Sequence, residues 1–265
     1  MYDIRWLDLD GVVNMRDVGG MPTRDGGTIA SRRLIRSDNL QELTDRSIAH
    51  LVDDLAVSDV VDLRSLVELD REGPGPLVGH PAVRISHFSM YAADAQASAL
   101  PPGERELPWQ TQAREKGWLP SGQDEPHPEH DAHWSRHYLG YLDQRPDSIV
   151  NALRTIAQAP GAVVVHCAAG KDRTGTVTGL ALIVAGAEPE AVVHDFATSA
   201  LRVPQIMERL RARPAYAQDM VGKTVAEQTR GPRPCACCWR PSMRTTAACS
   251  DGSIARGGAT RTPPG

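Results

Sequence analysis

Five residues separate Cys167 from Arg173 in the segment HCAAGKDRTG (166–175). A cysteine thiolate is a strong nucleophile, and the planar fork of an arginine matches two oxygens of a tetrahedral anion at once. A loop of this span wraps one phosphate between attacker and clamp. The pair points to phosphoryl transfer through a covalent cysteine intermediate. The ATP-type loop GxxxxGK[ST] is excluded, because Lys171 is followed by Asp172 and not by Ser or Thr.

Such a loop works only if its neighbours hold it. The apolar run AVVV (162–165) before His166 reads as a buried strand, and an apolar helix follows from about Thr174 to Ala185. Gly170 gives the connecting loop its freedom. A helix start offers free N–H groups and the positive end of the helix dipole. The loop is therefore an anion nest, and a nest that stabilises an oxyanion also favours thiolate over thiol. Loop amides of 168–173 are expected to hold the phosphate oxygens, which makes Ala168, Ala169, Gly170 and Lys171 substrate-binding positions.

The rest of the chain supplies matching elements. Leu34-Ile35 and Val57–Leu63 read as strands, and Val83–Phe88 alternates as a half-buried strand does. Thr44 is placed to cap a helix carrying Ile48, Leu51, Val52 and Leu55 at helical spacing. Ser65 is placed to cap a second helix through Arg71, stopped by the Gly73–Pro76 cluster. Further helices are expected near Trp134–Leu142, from Pro146 to about Ala159, after Pro189, and over 203–212. Alternating strands and helices predict an α/β domain with a central, mostly parallel sheet flanked by helices. Ligands of such sheets bind at the carboxyl ends of the strands.

The bulk numbers narrow the partners. Hydrophobic residues make up 41%, enough for a core, and the net charge of −4 gives no sign of a nucleic-acid partner. The first residues contain no apolar signal region, and no apolar run approaches a membrane span. Four of the five cysteines fall in the last part of the chain, leaving Cys167 alone in the body. No disulfide framework can form there, and the cytoplasm is the default compartment, with non-classical secretion left open. The oligomeric state is not legible.

HCAAGKDRTG resembles the phosphate loop of the cysteine phosphatases. More narrowly it resembles the bacterial tyrosine-phosphatase group with an HCxxGKDRTG loop, some of whose members also act on phosphoinositides. NMRDVGG (14–20), LIRSDNL (34–40), VVDLRSLVE (60–68), YLGYLDQRPDSIVNAL (138–153) and HDFATS (194–199) resemble segments of that group in the same order. The likeness covers about residues 10–215 and implies a catalytic domain over 1–222. Residues 90–132, rich in Ala, Pro, Gln and Glu, match only in position and resemble the group's variable lid-like insertion.

The resemblance implies roles. Cys167 attacks phosphorus, Arg173 holds the equatorial oxygens, and Asp172 protonates the leaving group. His166 orients the loop, and Thr174 hydrogen-bonds the cysteine sulfur. Asp62, at a strand end, is the alternative acid, or else a brace together with Arg64. Asn14, Arg16 and Asp17 are expected to pack beside the loop. No metal or cofactor is needed. The implied substrate is a phosphorylated protein, most directly on tyrosine. Lys171 at the pocket mouth leaves a phosphoinositide as the alternative, although Ala168 replaces the second lysine many lipid phosphatases carry.

Two other readings compete. LDLDGVV (7–13) imitates the Asp-x-Asp-Gly motif of Mg-dependent aspartate phosphatases, with Asp8 or Asp10 as nucleophile. A phosphate-binding pseudo-phosphatase is the non-enzyme reading, opposed by the presence of both Cys167 and Arg173. The segment 223–265 is Gly-, Pro- and Arg-rich, reads as a disordered tail, and departs from the family after about Val221. Its CACC cluster holds one C-x2-C spacing, Cys235 to Cys238, but lacks the second pair that zinc sites of this kind use. One choice of GC-rich codons turns 234–255 into an amphipathic peptide when the frame moves by one nucleotide, so a frameshift would account for the tail.

Overall fold

The computed structural model describes residues 2–92, 94 and 137–229. Its strands are β1 (Arg5–Trp6), β2 (Arg16–Asp17), β3 (Leu34–Ser37), β4 (Val57–Asp62), β5 (Arg84–His87) and β6 (Ala162–His166). They form one sheet in the order β1-β2-β3-β6-β4-β5. β3, β6, β4 and β5 run parallel, and β2 and β1 add antiparallel strands at one edge. The expected mostly parallel α/β sheet is what forms.

The helices are α1 (Asp45–Ala49), α2 (Leu66–Glu72), α3 (137–144), α4 (Pro146–Gln158), α5 (Asp172–Val184), α6 (Pro189–Thr198), α7 (Val203–Arg211) and α8 (Val225–Gln228). Thr44 and Ser65 cap α1 and α2 as their side-chain chemistry predicts. Ser65 forms a full capping box, with Glu68 reaching back to its N–H. The expected single helix over 48–55 is instead α1 followed by one π-helical turn, His50–Asp54.

Strand alternation divides the core. Val163 and Val165 face a cluster with Ile149, Ala152, Val177, Leu182 and Phe196, from α4, α5 and α6. Ala162 and Val164 face the other side, with Ile35, Ile48, Leu51 and Val60. Val57 shares that second face with Val60 because the pairing slips by one residue between Val57 and Asp59, resetting the alternation. The edge strand β5 is less covered than its alternation predicts, and Ile85 is 38% exposed.

The four parallel strands stop level. Ser37, His166, Asp62 and His87 pair across one row at their carboxyl ends. The loops after β3, β6, β4 and β5 therefore rise from a common line, and the candidate loop lies among them.

Regular structure passes the expected boundary at 222: Thr224 caps α8 in a second capping box with Glu227. Most of the 90–132 insertion lies outside the described residues. So do residues 230–265, with the cysteine-rich tail and its frameshift reading.

Candidate active site

His166 ends β6, residues 167–171 turn, and Asp172 opens α5. Cys167 is 2% exposed at the start of that turn. Gly170 is obligatory. Its φ is +65°, and a Cβ there would stand 2.5 Å from the Asp38 nitrogen and the Ser37 carbonyl.

The outward carbonyls of the loop are all held. Asn14 Nδ2 donates to Ala169 O at 2.9 Å and to Gly170 O at 3.2 Å. Arg36 Nη2 donates to Gly170 O at 2.9 Å and to Lys171 O at 3.2 Å. Asn39 N–H donates to Ala168 O at 3.1 Å. Three donors thus bracket the loop from behind. With its carbonyls so engaged, the loop meets one requirement of an oxyanion site, whose ligands are backbone N–H groups.

The brackets are themselves pinned. Arg16 and Arg36 both bind Asp195, at 2.8 and 2.6 Å, with all three side chains buried. Arg16 Nη1 also donates to Asn14 Oδ1 at 2.7 Å. Burial, then the neighbouring Arg36 charge, bring Arg16 down to about 10. Burial pushes Asp195 up, but the two guanidiniums outweigh it and hold the carboxyl below its usual range. Asp38 accepts from the N–H groups of Val13 and Asn14 and pairs with Arg209 of α7.

Arg173 is gripped in the same way. Glu68 accepts from both terminal nitrogens, 2.5 Å from Nη1 and 2.8 Å from Nη2. The Tyr91 ring lies 5.3 Å from the guanidinium carbon. Burial disfavours the charge on Arg173, but Glu68 more than compensates and holds the guanidinium charged. Tyr91 meets Tyr141 edge-on at 5.9 Å, so aromatic rings wall the approach to the clamp.

Asp62 is fully engaged. Arg64 binds both of its oxygens, Nε to Oδ1 at 3.0 Å and Nη2 to Oδ2 at 2.6 Å. His166 Nε2 lies 3.5 Å from Oδ2. Burial opposes the Asp62 charge, yet these neighbours keep its pKa far below the ordinary carboxylate range. A carboxyl so held is a brace and a poor proton donor. His166 goes the other way: burial draws it down to about 4, against the pull of Asp62. Asp172 sits at the open side, its side chain 23% exposed. Tyr138 Oη donates to its Oδ1 at 2.6 Å, and Lys171 Nζ lies 3.7 Å from its Oδ2.

Four expectations change. Asp17 does not join the loop. It accepts from Gly19 and Arg32 N–H, shaping a turn, because successive residues of β2 face opposite sides and only Arg16 faces the loop. Thr174 is buried, and its Oγ1 makes no hydrogen bond, to the Cys167 sulfur or to any other atom. Asp8 and Asp10 follow an antiparallel edge strand, and Asp8 pairs at the surface with Arg202. An aspartate nucleophile needs the end of a central parallel strand, so that reading fails on position.

Lys171 is not at an open mouth either. It is 5% exposed, and its Nζ donates to Gln228 O at 2.6 Å. The sequence reading missed Glu68, Arg36, Asp195, Asp38 and the tyrosine wall. Glu68 had a local sign, since the Ser65 capping box places it. Arg36 and Asp195 had no local sign, since each pairs with residues far away in the sequence.

A model of the tyrosine phosphatase family matches residues 7–251, and so runs past Val221, where the resemblance had been expected to end. The triple specificity protein phosphatase PtpB of Mycobacterium tuberculosis is 30% identical over 208 residues, 77% of this chain and 72% of that protein. A tyrosine-protein phosphatase of Nostoc commune is 53% identical over 47 residues, 18% of this chain and 16% of that one. A solved structure of P. aeruginosa TpbA aligns over 84% of this chain and 91% of that one, at 14% identity and a TM-score of 0.33. The family match takes in the loop, the side chains bracketing it and the strands that carry them, and the chain belongs to the tyrosine phosphatase family.

Proposed function

We propose that this phosphatase acts first on protein phosphotyrosine, through a phosphocysteine on Cys167. The observation behind this is the aromatic approach to Arg173: Tyr91 over the guanidinium, with Tyr141 edge-on to Tyr91. A flat aryl phosphate fits such a wall better than a short alkyl chain. In the first step the sulfur–phosphorus bond forms as the phosphorus–oxygen bond to tyrosine breaks. The loop amides and Arg173 stabilise the charge on the equatorial oxygens. Asp172, the half-buried carboxyl, gives its proton to the leaving oxygen. Water then displaces the sulfur, with Asp172 taking the proton. Asp62, Arg64 and His166 brace the loop. The cytoplasm is the proposed compartment, consistent with a single cysteine in the body. No helix among the described residues is long and apolar enough to cross a membrane.

A phosphoinositide substrate is the second reading, favoured by the resemblance of the HCAAGKDRTG loop to a group some of whose members act on phosphoinositides. It is weakened by Lys171, whose ammonium is engaged by Gln228 and is unavailable for a second phosphate. The test is a panel of phosphotyrosine, phosphoserine and phosphoinositide substrates, with chelator present. Phosphotyrosine is expected to be hydrolysed fastest, and C167S to be inert. Turnover by C167S, or strong inhibition by chelator, overturns the cysteine mechanism. Preference for the lipid overturns the substrate reading.

A further inference from the structure

Tyr138 is buried near the start of α3, 2% exposed, and its hydroxyl ends on Asp172. Its ring meets Phe196 of α6 edge-on, with centroids 5.5 Å apart. Phe196 in turn presses on α5 at Gly175, where a Cβ would come within 2.5 Å of the ring. The ring of Tyr138 is therefore carried by α3 and buried against α6. Its oxygen is delivered to the first residue of α5 at 2.6 Å.

We propose that Tyr138 is the positioning residue for the general acid. This rests on the reading of Asp172 as that acid. Tyr138 donates to Oδ1, so the proton available for transfer sits on Oδ2. When that proton passes to the leaving oxygen, the phosphorus–oxygen bond breaks and Asp172 becomes a carboxylate. The Tyr138 hydrogen bond then becomes charge-assisted and strengthens, so it favours the transition state over the ground state. The buried ring also helps fix the direction of Oδ2, which lies 3.7 Å from Lys171 Nζ.

The test is a series of aryl phosphates whose phenols differ in acidity, assayed on wild type, Tyr138→Phe and Asp172→Asn. A nitrophenolate leaves without help, and a plain phenol needs a proton. Tyr138→Phe removes one oxygen and keeps the ring packing. It is expected to lose about tenfold in kcat/KM on phenyl phosphate, the worth of one hydrogen bond to a charged group, and about twofold or less on p-nitrophenyl phosphate. Asp172→Asn is expected to show the same trend, more steeply. A Tyr138→Phe loss that is equal across the series, or absent, overturns the proposal. If Asp172→Asn shows no leaving-group trend, the acid reading itself fails, and the proposal with it. A second readout is the descending limb of the kcat/KM pH profile. Among the described residues, Tyr138, Lys171 and Tyr141 face Asp172. Losing a donor to the carboxylate moves that limb to higher pH, and an unmoved limb counts against Tyr138.

Discussion

Glu68 holds both terminal nitrogens of Arg173, 2.5 Å from Nη1 and 2.8 Å from Nη2, while its Oε2 also accepts from the Ser65 N–H at 2.7 Å. One carboxylate thus ties the phosphate clamp to the start of α2. Burial alone would push Glu68 up, but Arg173 outweighs it and leaves the carboxyl below its usual range.

Glu68→Ala removes the partner of a buried guanidinium. Breaking such a pair costs about 3–5 kcal/mol, since the remaining charge stays buried. We expect a clear fall in Tm and a rise in KM for phosphate esters. Glu68→Gln keeps the packing and is expected to retain more stability than activity. Calorimetry with steady-state kinetics checks both.

Gly170→Ala puts a methyl group against the Ser37–Asp38 backbone at 2.5 Å and strains a φ of +65°. The loop must move, and its amides lose their aim. Activity is expected to fall at least about a hundredfold, the scale of losing one oxyanion donor. Vanadate affinity should fall in parallel. A variant with normal vanadate binding contradicts the loop geometry described above.

Asp195→Asn loosens Arg16 and Arg36 together, and with them the brackets on the loop carbonyls. The active loop lies on the far side of those brackets. We expect lower stability and lower kcat with the same substrate preference, measured by denaturant melts and the substrate panel. A changed preference would mean that Asp195 acts on the substrate directly.

His166 sets a pH window. Burial brings it down to about 4, while an unfolded histidine titrates near about 6.5. Between those values the unfolded chain binds more protons, so stability rises with pH across that window and falls on acidification. Glu68 and Asp195, held below their unfolded values, contribute stability that is lost at still lower pH. Urea melts from about pH 4 to 7 should therefore slope upward in wild type, and less so in His166→Asn.

The sequence disclosed what is local. Cys167 to Arg173 is one turn of chain, Ser65 reaches Glu68 within one helical turn, and Asp62 grips Arg64 two residues on. It concealed what is distant. Asn14 meets Ala169 across 155 positions, and Arg36 meets Asp195 across 159. No periodicity encodes such pairings. They follow from which strands become neighbours, and β3 lies beside β6 only in the assembled sheet. Asp17 was misjudged because adjacent charges in a strand look alike in sequence yet face opposite ways. The π-helical turn at His50–Asp54 was missed because Leu51 and Leu55 suit an α-helix equally well.

The level row Ser37–His166–Asp62–His87 serves as a mechanical datum. The nucleophile loop, the brace at Asp62 and Arg64, and the bracket at Arg36 are all measured from that line. Chain inserted after β5 leaves it untouched. The spacing of sulfur, guanidinium and carboxyl is thus set by strand register, and a shift of one residue in that register would move all three together.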